Sequence, residues 1–247
     1  MSLFGLIGRS LQHSFSKKYF TDKFDREGIA ARYELFELPL IEGVYDLRSS
    51  EEDLCGLNVT IPYKEAIIPY IDHLSAAAEA IGAVNTIAIR NERLVGYNTD
   101  VVGFEQSLLE QWKDDIPSSA LILGTGGASK AVRYVLMNLG ISENNIFYAS
   151  RHPNHPQHLS YADLRGLDWT EVRWVINTTP LGTYPDVDSK PDIPYHNLSS
   201  AHLAFDLVYN PSVTAFLAAS RSYGAQTVNG YDMLVYQAEA AWAIWNA

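Results

Sequence analysis

The feature that most constrains this chain is a glycine stretch in a particular setting. Gly124-Thr125-Gly126-Gly127-Ala128 follows the short apolar run Ala120–Leu123 and precedes a helical pattern over Lys130–Leu139. Glycines at 124 and 126 permit a tight strand-to-helix turn and close approach of the backbone to a pyrophosphate. The helix behind them offers unpaired N–H groups and a positive dipole end to that anion. Position 129, where the dinucleotide fingerprint has its third glycine, is serine. A purely structural turn is the competing reading of this loop. A second strand, Asn145–Ala149, comes next, and further strands are read at Val172–Asn177, Leu203–Leu207 and Gln226–Val228, with a helix over Ser212–Tyr223. Alternation of this kind predicts a doubly wound α/β domain, a parallel sheet with helices on both faces.

The end of the second strand carries the cofactor information. An NAD site places Asp or Glu there to bond the ribose 2′-hydroxyl. Here the strand ends Tyr148-Ala149-Ser150-Arg151, with no acid. Arg151 is a planar cation suited to a 2′-phosphate, so NADP is expected rather than NAD. The plain alternative for Arg151 is a solvated surface arginine.

The first hundred residues also read as α/β. Strands are expected at Leu3–Ile7, Arg32–Leu38 and Gly56–Val59, and a helix at Lys17–Glu27. Thr86–Ile89 and Leu94–Tyr97 flank the polar turn Arg90–Arg93 as a hairpin. Asn58-Val59-Thr60-Ile61-Pro62-Tyr63-Lys64-Glu65 leaves a strand, and Pro62 suits the first turn of a helix running to about Tyr70. Lys64 does not fit simple helix initiation, because a cation in the first turn opposes the dipole. It is therefore a candidate catalytic group. Asp100, after Asn98-Thr99, is either an N-cap or a functional carboxylate, and Ser14 and Ser16 stand before a helix that one of them can cap. A helix follows at Val101–Trp112, and the polar stretch Lys113–Ser119 with Pro117 reads as a hinge. The last helix, Tyr231–Trp245, has its apolar stripe at Leu234, Ala238, Ala241, Trp242 and Trp245, with Gln237 beside it. His152, His155 and His158 are separated by Pro153 and Pro156, so no helix arrays them for a metal, and no metal site is expected.

Composition narrows the partners. A length of 247 residues corresponds to one large domain or two modest ones. The net charge of −11 argues against nucleic acid or an anionic membrane as main partner, so bound anions must be met by local devices. One cysteine, Cys55, forms no intramolecular disulfide and fits a reducing compartment. With no leader-like start and no apolar run of membrane-spanning length, a cytoplasmic protein is expected.

Taken together these segments resemble the shikimate dehydrogenase family, from Gly5 to Trp245. The resemblance rests on His13-Ser14-Phe15-Ser16, Asn58–Glu65, Ile81-Gly82-Ala83-Val84-Asn85-Thr86 and Asn98-Thr99-Asp100 in the first half. In the second half it rests on Gly124–Ala128, Asn177-Thr178-Thr179-Pro180, Asp206–Pro211 and Asn229-Gly230…Met233-Leu234…Gln237. It implies NADPH-linked, reversible reduction of 3-dehydroshikimate to shikimate, a step toward chorismate and the aromatic amino acids. It implies a substrate domain from residues 1–100 plus 230–247 and an NADP-binding, Rossmann-like domain over 101–229, with a mostly parallel sheet in the first. Lys64 and Asp100 match the family's catalytic pair. Ser14 and Ser16 match its carboxylate-binding serines, and Asn58, Thr60, Asn85, Tyr209 and Gln237 its other substrate contacts. Gly124, Gly126, Gly127, Ala128, Ser150, Arg151, Thr178 and Gly230 match its cofactor-facing positions. A monomer or homodimer is expected.

The sequence departs from the family pattern in places. Lys17 stands where proline usually follows the second serine, placing a second cation near the carboxylate site. Thr183 replaces a common methionine, Ala215 a common proline, and the chain ends two residues after Trp245. The competing functions are a quinate/shikimate dehydrogenase, a non-catalytic NADPH-binding regulator on the same scaffold, and a dehydrogenase of the same fold acting on another carbonyl.

Overall fold

The computed structural model describes residues 1–11 and 14–247; His13 of the first motif lies outside the described residues. The chain divides into two compact units, Met1–Thr99 with Ala238–Ala247, and Asp100–Gln237.

The first unit runs β1 (Ser2–Gly8), α1 (Phe15–Glu27), β2 (Ala31–Glu37), α2 (Gly43–Ser50), β3 (Leu54–Val59), α3 (Tyr63–Ala66), β4 (His73–Leu74), α4 (Ala76–Ile81), β5 (Thr86–Arg90) and β6 (Arg93–Tyr97). Its sheet has the order β2-β1-β3-β5-β6-β4. β2, β1 and β3 are parallel, β5 is antiparallel to β3 and β6, and β4 is parallel to β6. Strand β1 is buried on both faces, as a central parallel strand must be. Leu3 and Ile7 join the cluster under α2 to α4. Phe4 and Leu6 face the other way, toward Phe20 and Phe24 of α1.

Local chemistry sets the element ends. The Ser14 side chain accepts from the Lys17 N–H at the start of α1, and Gly28 ends it in the left-handed region with φ 65°. The β5–β6 turn is Asn91-Glu92, both at positive φ, the conformation that matches hairpin twist. The helix expected from Pro62 to Tyr70 is shorter: one α turn, α3, followed by a 3₁₀ turn at Ile68–Tyr70. Pro69 lacks the N–H that would extend the α ladder.

The second unit begins with α5 (Asp100–Gln111), then β7 (Ser119–Leu123), α6 (Gly127–Asn138), β8 (Ile146–Ala149), β9 (His158–Leu159), β10 (Val172–Asn177), β11 (Leu203–Asp206), α7 (Ala215–Ser222) and β12 (Gln226–Val228). Helix α8 (Tyr231–Trp245) closes the chain, its first residues in this unit and its last in the other. The second sheet, β12-β11-β10-β7-β8-β9, is parallel throughout. That is the doubly wound order, with its switch point between β7 and β10. Successive residues of β7 bury alternate faces: Ala120 and Ile122 pack with Val132 and Leu136, while Leu121 and Leu123 pack with Phe216 and Leu217. The stretch Lys113–Ser119 lies within this unit, between α5 and β7, and does not divide the two. Helix α7 starts three residues later than expected because Thr214 caps it, accepting from the Leu217 N–H. Ala215 is therefore the first helical residue, a position that suits alanine and proline alike.

Candidate active site

In the first unit the motif residues meet at the carboxyl ends of β1 and β3. Asn58, the penultimate residue of β3, is buried. Its Oδ1 accepts from the Tyr33 hydroxyl at 2.8 Å, and its Nδ2 donates to the Asn85 carbonyl at 3.3 Å and to Thr86 Oγ1 at 3.1 Å. The Asn85 side chain accepts from the Thr99 N–H at 2.7 Å and donates to Thr99 Oγ1 at 3.0 Å. Thr86 and Thr99 hydroxyls lie 3.1 Å apart. The Ser16 side chain lies near enough to the Tyr33 phenol to oppose the rise in pKa that burial causes. The result is a chain of polar groups, Tyr33–Asn58–Thr86–Thr99–Asn85, in an otherwise apolar interior, where unpaired members are costly.

Main-chain bonds gather the same segments. The Val59 N–H donates to the Asn85 carbonyl at 2.8 Å, and the Val84 N–H to the Lys64 carbonyl at 2.7 Å. Lys64 is thereby anchored next to Asn85. Thr60 donates its N–H to the Ile7 carbonyl at 3.0 Å, and its methyl packs on Gly8, where a Cβ would approach within 2.7 Å. Ser14 and Ser16 sit half-buried at the start of α1, and Ser14 is its cap. Lys17 is paired with Glu34 at 2.9 Å, so its charge is balanced within the protein. The dipole argument for Lys64 does not survive. In a four-residue turn the first and last turns coincide, and a lysine there meets no net opposing end. Its candidacy rests on the motif and on this anchoring.

In the second unit the cofactor candidates line the switch point. Gly124 follows β7 with φ 102°, and a Cβ on it would meet Thr179 Cγ2 at 2.9 Å and Thr178 Oγ1 at 3.0 Å. Thr178, just after β10, donates its hydroxyl to the Leu123 carbonyl at 2.8 Å. Gly126 differs: it caps α6 with extended backbone, φ −79°, and a Cβ there would meet nothing within 4 Å. Beside it the helix begins with Gly127 and Ala128, whose N–H groups have no place in the helical ladder. A 12-residue helix, no acidic residue in its first turn and open space over its cap make a cradle that fits a pyrophosphate. Ser129, in the third glycine position, is buried and returns its hydroxyl to the Gly126 carbonyl at 2.6 Å, so it blocks nothing. Ser150 Oγ accepts from the His152 N–H at 3.1 Å. Arg151 is exposed. Burial raises the pKa of half-buried Tyr161, and the nearby Arg151 charge opposes that rise.

Beneath this edge lies a buried carboxylate to which the motifs assign no role. Asp206, at the end of β11, accepts from Asn177 Nδ2 at 2.9 Å, the Val208 N–H at 3.0 Å and the Thr214 hydroxyl at 2.5 Å. Burial pushes its pKa up to about 6 despite these donors. Asn177 Oδ1 accepts in turn from the Thr179 N–H and hydroxyl, at 3.1 and 2.7 Å. One carboxylate thus ties the ends of β10 and β11 to the cap of α7.

Asp100 is buried and is the first residue of α5, one place past the N-cap, where a carboxylate favours the dipole. Tyr209 is partly buried and its pKa is raised by that burial. Gly230 lies on Leu207, where a Cβ would come within 2.1 Å of the carbonyl oxygen. Gln237 is buried and donates to the Leu234 carbonyl at 3.0 Å. Gly103, unremarked in the sequence, lets α5 approach α8: a Cβ there would lie 2.4 Å from the Met233 oxygen and 3.0 Å from Gln237 Cβ. The roles of Tyr33, Thr86, Asp206 and Gly103 escape sequence reasoning because they come from partners distant in sequence. The one available signal is Tyr33, a hydroxyl on the inward side of an alternating strand. Among the described residues no His, Cys, Asp or Glu cluster has the arrangement of a metal site. Among them, no helix is long and apolar enough to cross a membrane.

Comparison with known proteins bears on both units. The family model described as the shikimate dehydrogenase substrate binding domain matches residues 6–87. The NADP(+) shikimate dehydrogenase of Desulforamulus reducens is 35% identical, over 98% of this chain and 88% of that protein. The chorismate mutase/shikimate 5-dehydrogenase fusion protein of Clostridium acetobutylicum is 36% identical with a TM-score of 0.88, covering 100% of this chain and 91% of that one. The shikimate 5-dehydrogenase of Thermus thermophilus, solved with NADP(H) and shikimate, is 30% identical with a TM-score of 0.85, covering 99% and 93%.

Proposed function

The chain belongs to the shikimate dehydrogenase family, and on that premise we propose that it is an NADP-dependent oxidoreductase interconverting shikimate and 3-dehydroshikimate. The observation that carries this reading is near-full-length identity to NADP-dependent relatives, and the buried polar chain around Asn58 and Asn85 supports it. Ser14 and Ser16 bind the substrate carboxylate, and Asn58, Thr60, Asn85, Tyr209 and Gln237 hold the rest of the ring. These groups set the distance and orientation that a hydride transfer requires. Reduction of a ketone builds negative charge on its oxygen. Lys64 meets that charge and passes a proton to the alkoxide, and takes it back in the reverse direction, with Asp100 as its partner in catalysis.

The first unit receives the substrate and the second the nucleotide. NADP, when bound, supplies the hydride-accepting nicotinamide. The N-terminus of α6 with Gly124, Gly126, Gly127 and Ala128 takes its pyrophosphate, Ser150 and Arg151 its 2′-phosphate, and Thr178 and Gly230 border the nicotinamide. The enzyme works in the cytoplasm as a monomer or homodimer, and uses no metal. Steady-state assays with shikimate and with quinate, each against NADP and NAD, test the proposal. Turnover confined to shikimate with NADP is expected; preference for quinate or for NAD would refute it.

A further inference from the structure

Tyr33 lies on β2, outside every motif that carries the family resemblance, yet it bonds directly to one of the proposed substrate contacts, Asn58. Its ring is stacked on Phe20 with centroids 4.8 Å apart and lies 6.5 Å from the ring of Trp245, so the phenol is held in place by packing. Its exposure is 2%. The hydroxyl has one proton, and that proton goes to Asn58 Oδ1 at 2.8 Å. The Ser16 side chain lies beside the phenol.

The consequence falls on Asn58. Both hydrogens of its Nδ2 are directed at protein acceptors, the Asn85 carbonyl and Thr86 Oγ1. With no donor left over, the side chain can offer a ligand only the second lone pair of Oδ1. Tyr33 occupies the first lone pair, and the Asn85 carbonyl, which can only accept, keeps the amide from flipping. Asn58 is thereby made an acceptor for a ligand hydroxyl and is denied the role of a donor.

We propose that Tyr33 is a positioning residue for the substrate, acting through Asn58, and that it selects a ligand presenting a hydroxyl proton at that point. This rests on the shikimate reading of the same site. Burial raises the phenol's pKa, with the Ser16 side chain opposing, so Tyr33 stays a proton donor across the assay range.

The test is Tyr33→Phe, which keeps the ring and its stacking and removes only the hydroxyl. KM for shikimate is expected to rise roughly three- to tenfold, the worth of one orienting neutral hydrogen bond. The value of kcat should stay within about twofold, and KM for NADP+ should not move. In an Asn58→Ala background, or Asn58→Ser if the alanine variant does not fold, Tyr33→Phe should add no further rise. An unchanged shikimate KM overturns the inference. So does a parallel loss in kcat and in both KM values, or the same penalty in both backgrounds. A wild-type enzyme inactive on shikimate overturns the reading and the inference together; an active wild type with an indifferent Tyr33→Phe overturns the inference alone.

Discussion

Gly126 separates what the fold needs from what the cofactor needs. Its backbone is extended, with φ −79° and ψ −177°, which any residue adopts, and a Cβ would meet no protein atom within 4 Å. For Gly126→Ala the folded state therefore meets neither clash nor strain. Two small terms remain: a less flexible unfolded chain favours alanine by about 0.4–1 kcal/mol, and loss of a favoured cap residue disfavours it by a similar order. Net stability should stay within about 1 kcal/mol, a melting shift of no more than roughly 2–4 °C for a chain of this size. Ligand binding is another matter. A pyrophosphate oxygen sits about 2.9 Å from the N–H that holds it, whereas a methyl carbon demands roughly 3.5 Å or more. Losing one charge-assisted bond of about 1.5–3 kcal/mol raises KM for NADP+ by roughly 10- to 150-fold. Gly124→Ala is the contrast: with φ 102° and contacts of 2.9 and 3.0 Å to the Thr179 and Thr178 side chains, it should destabilise the fold itself by about 1–3 kcal/mol. Thermal melting and NADP+ titrations on both variants decide. An unchanged KM in Gly126→Ala, or a loss of stability matching that of Gly124→Ala, would refute the cradle argument.

Other perturbations probe the remaining parts. Lys64→Ala should lower kcat by at least about 100-fold with a modest KM change, the scale of lost acid–base help; near-normal turnover would remove it from the chemistry. Arg151→Ala should weaken NADPH far more than NADH, and equal effects on the two would exclude the 2′-phosphate role. Asp206 has a folded pKa of about 6 against 3.8 for an ordinary aspartate, so between those values the native state binds more protons than the unfolded one and stability falls as pH rises. The contribution is largest below about pH 4 and is lost by about pH 6, on the order of 3 kcal/mol. Asp206→Asn should erase that slope in urea titrations at pH 4 and 7, whatever offset it adds. Gly56→Ala would put a methyl 2.3 Å from Trp245 Nε1, whose bond to the Ile87 carbonyl at 3.0 Å anchors α8 on the first sheet. A loss of about 2–4 kcal/mol is expected, and relief by a second substitution, Trp245→Leu, would identify the clash as its cause.

What the sequence determined by itself is what short-range chemistry determines. The glycine loop behind Ala120–Leu123 required a strand-to-helix turn, and alternating apolar runs required parallel strands around it. Ser14, Gly28 and Thr214 start or stop helices through bonds within a few residues of themselves, and Pro69 stops one by lacking an N–H. The family motifs placed the candidate site residues along the chain without showing what each would touch. The helix expected past Pro62 is too long and the dipole argument for Lys64 fails with it, because both assume more than the single turn that forms. Only the tertiary structure decided the site's polarity. Asn58 meets Tyr33 across 25 residues, Asn85 and Thr86 across 27 and 28, and Asn177 meets Asp206 across 29. Strand order creates these meetings, by placing β2, β1, β3 and β5 in succession in one sheet and β10 beside β11 in the other. Hydrophobic periodicity identifies a buried face, but burial is non-directional. Hydrogen bonds are directional, and which donor faces which acceptor is settled only when the sheet order and register are set.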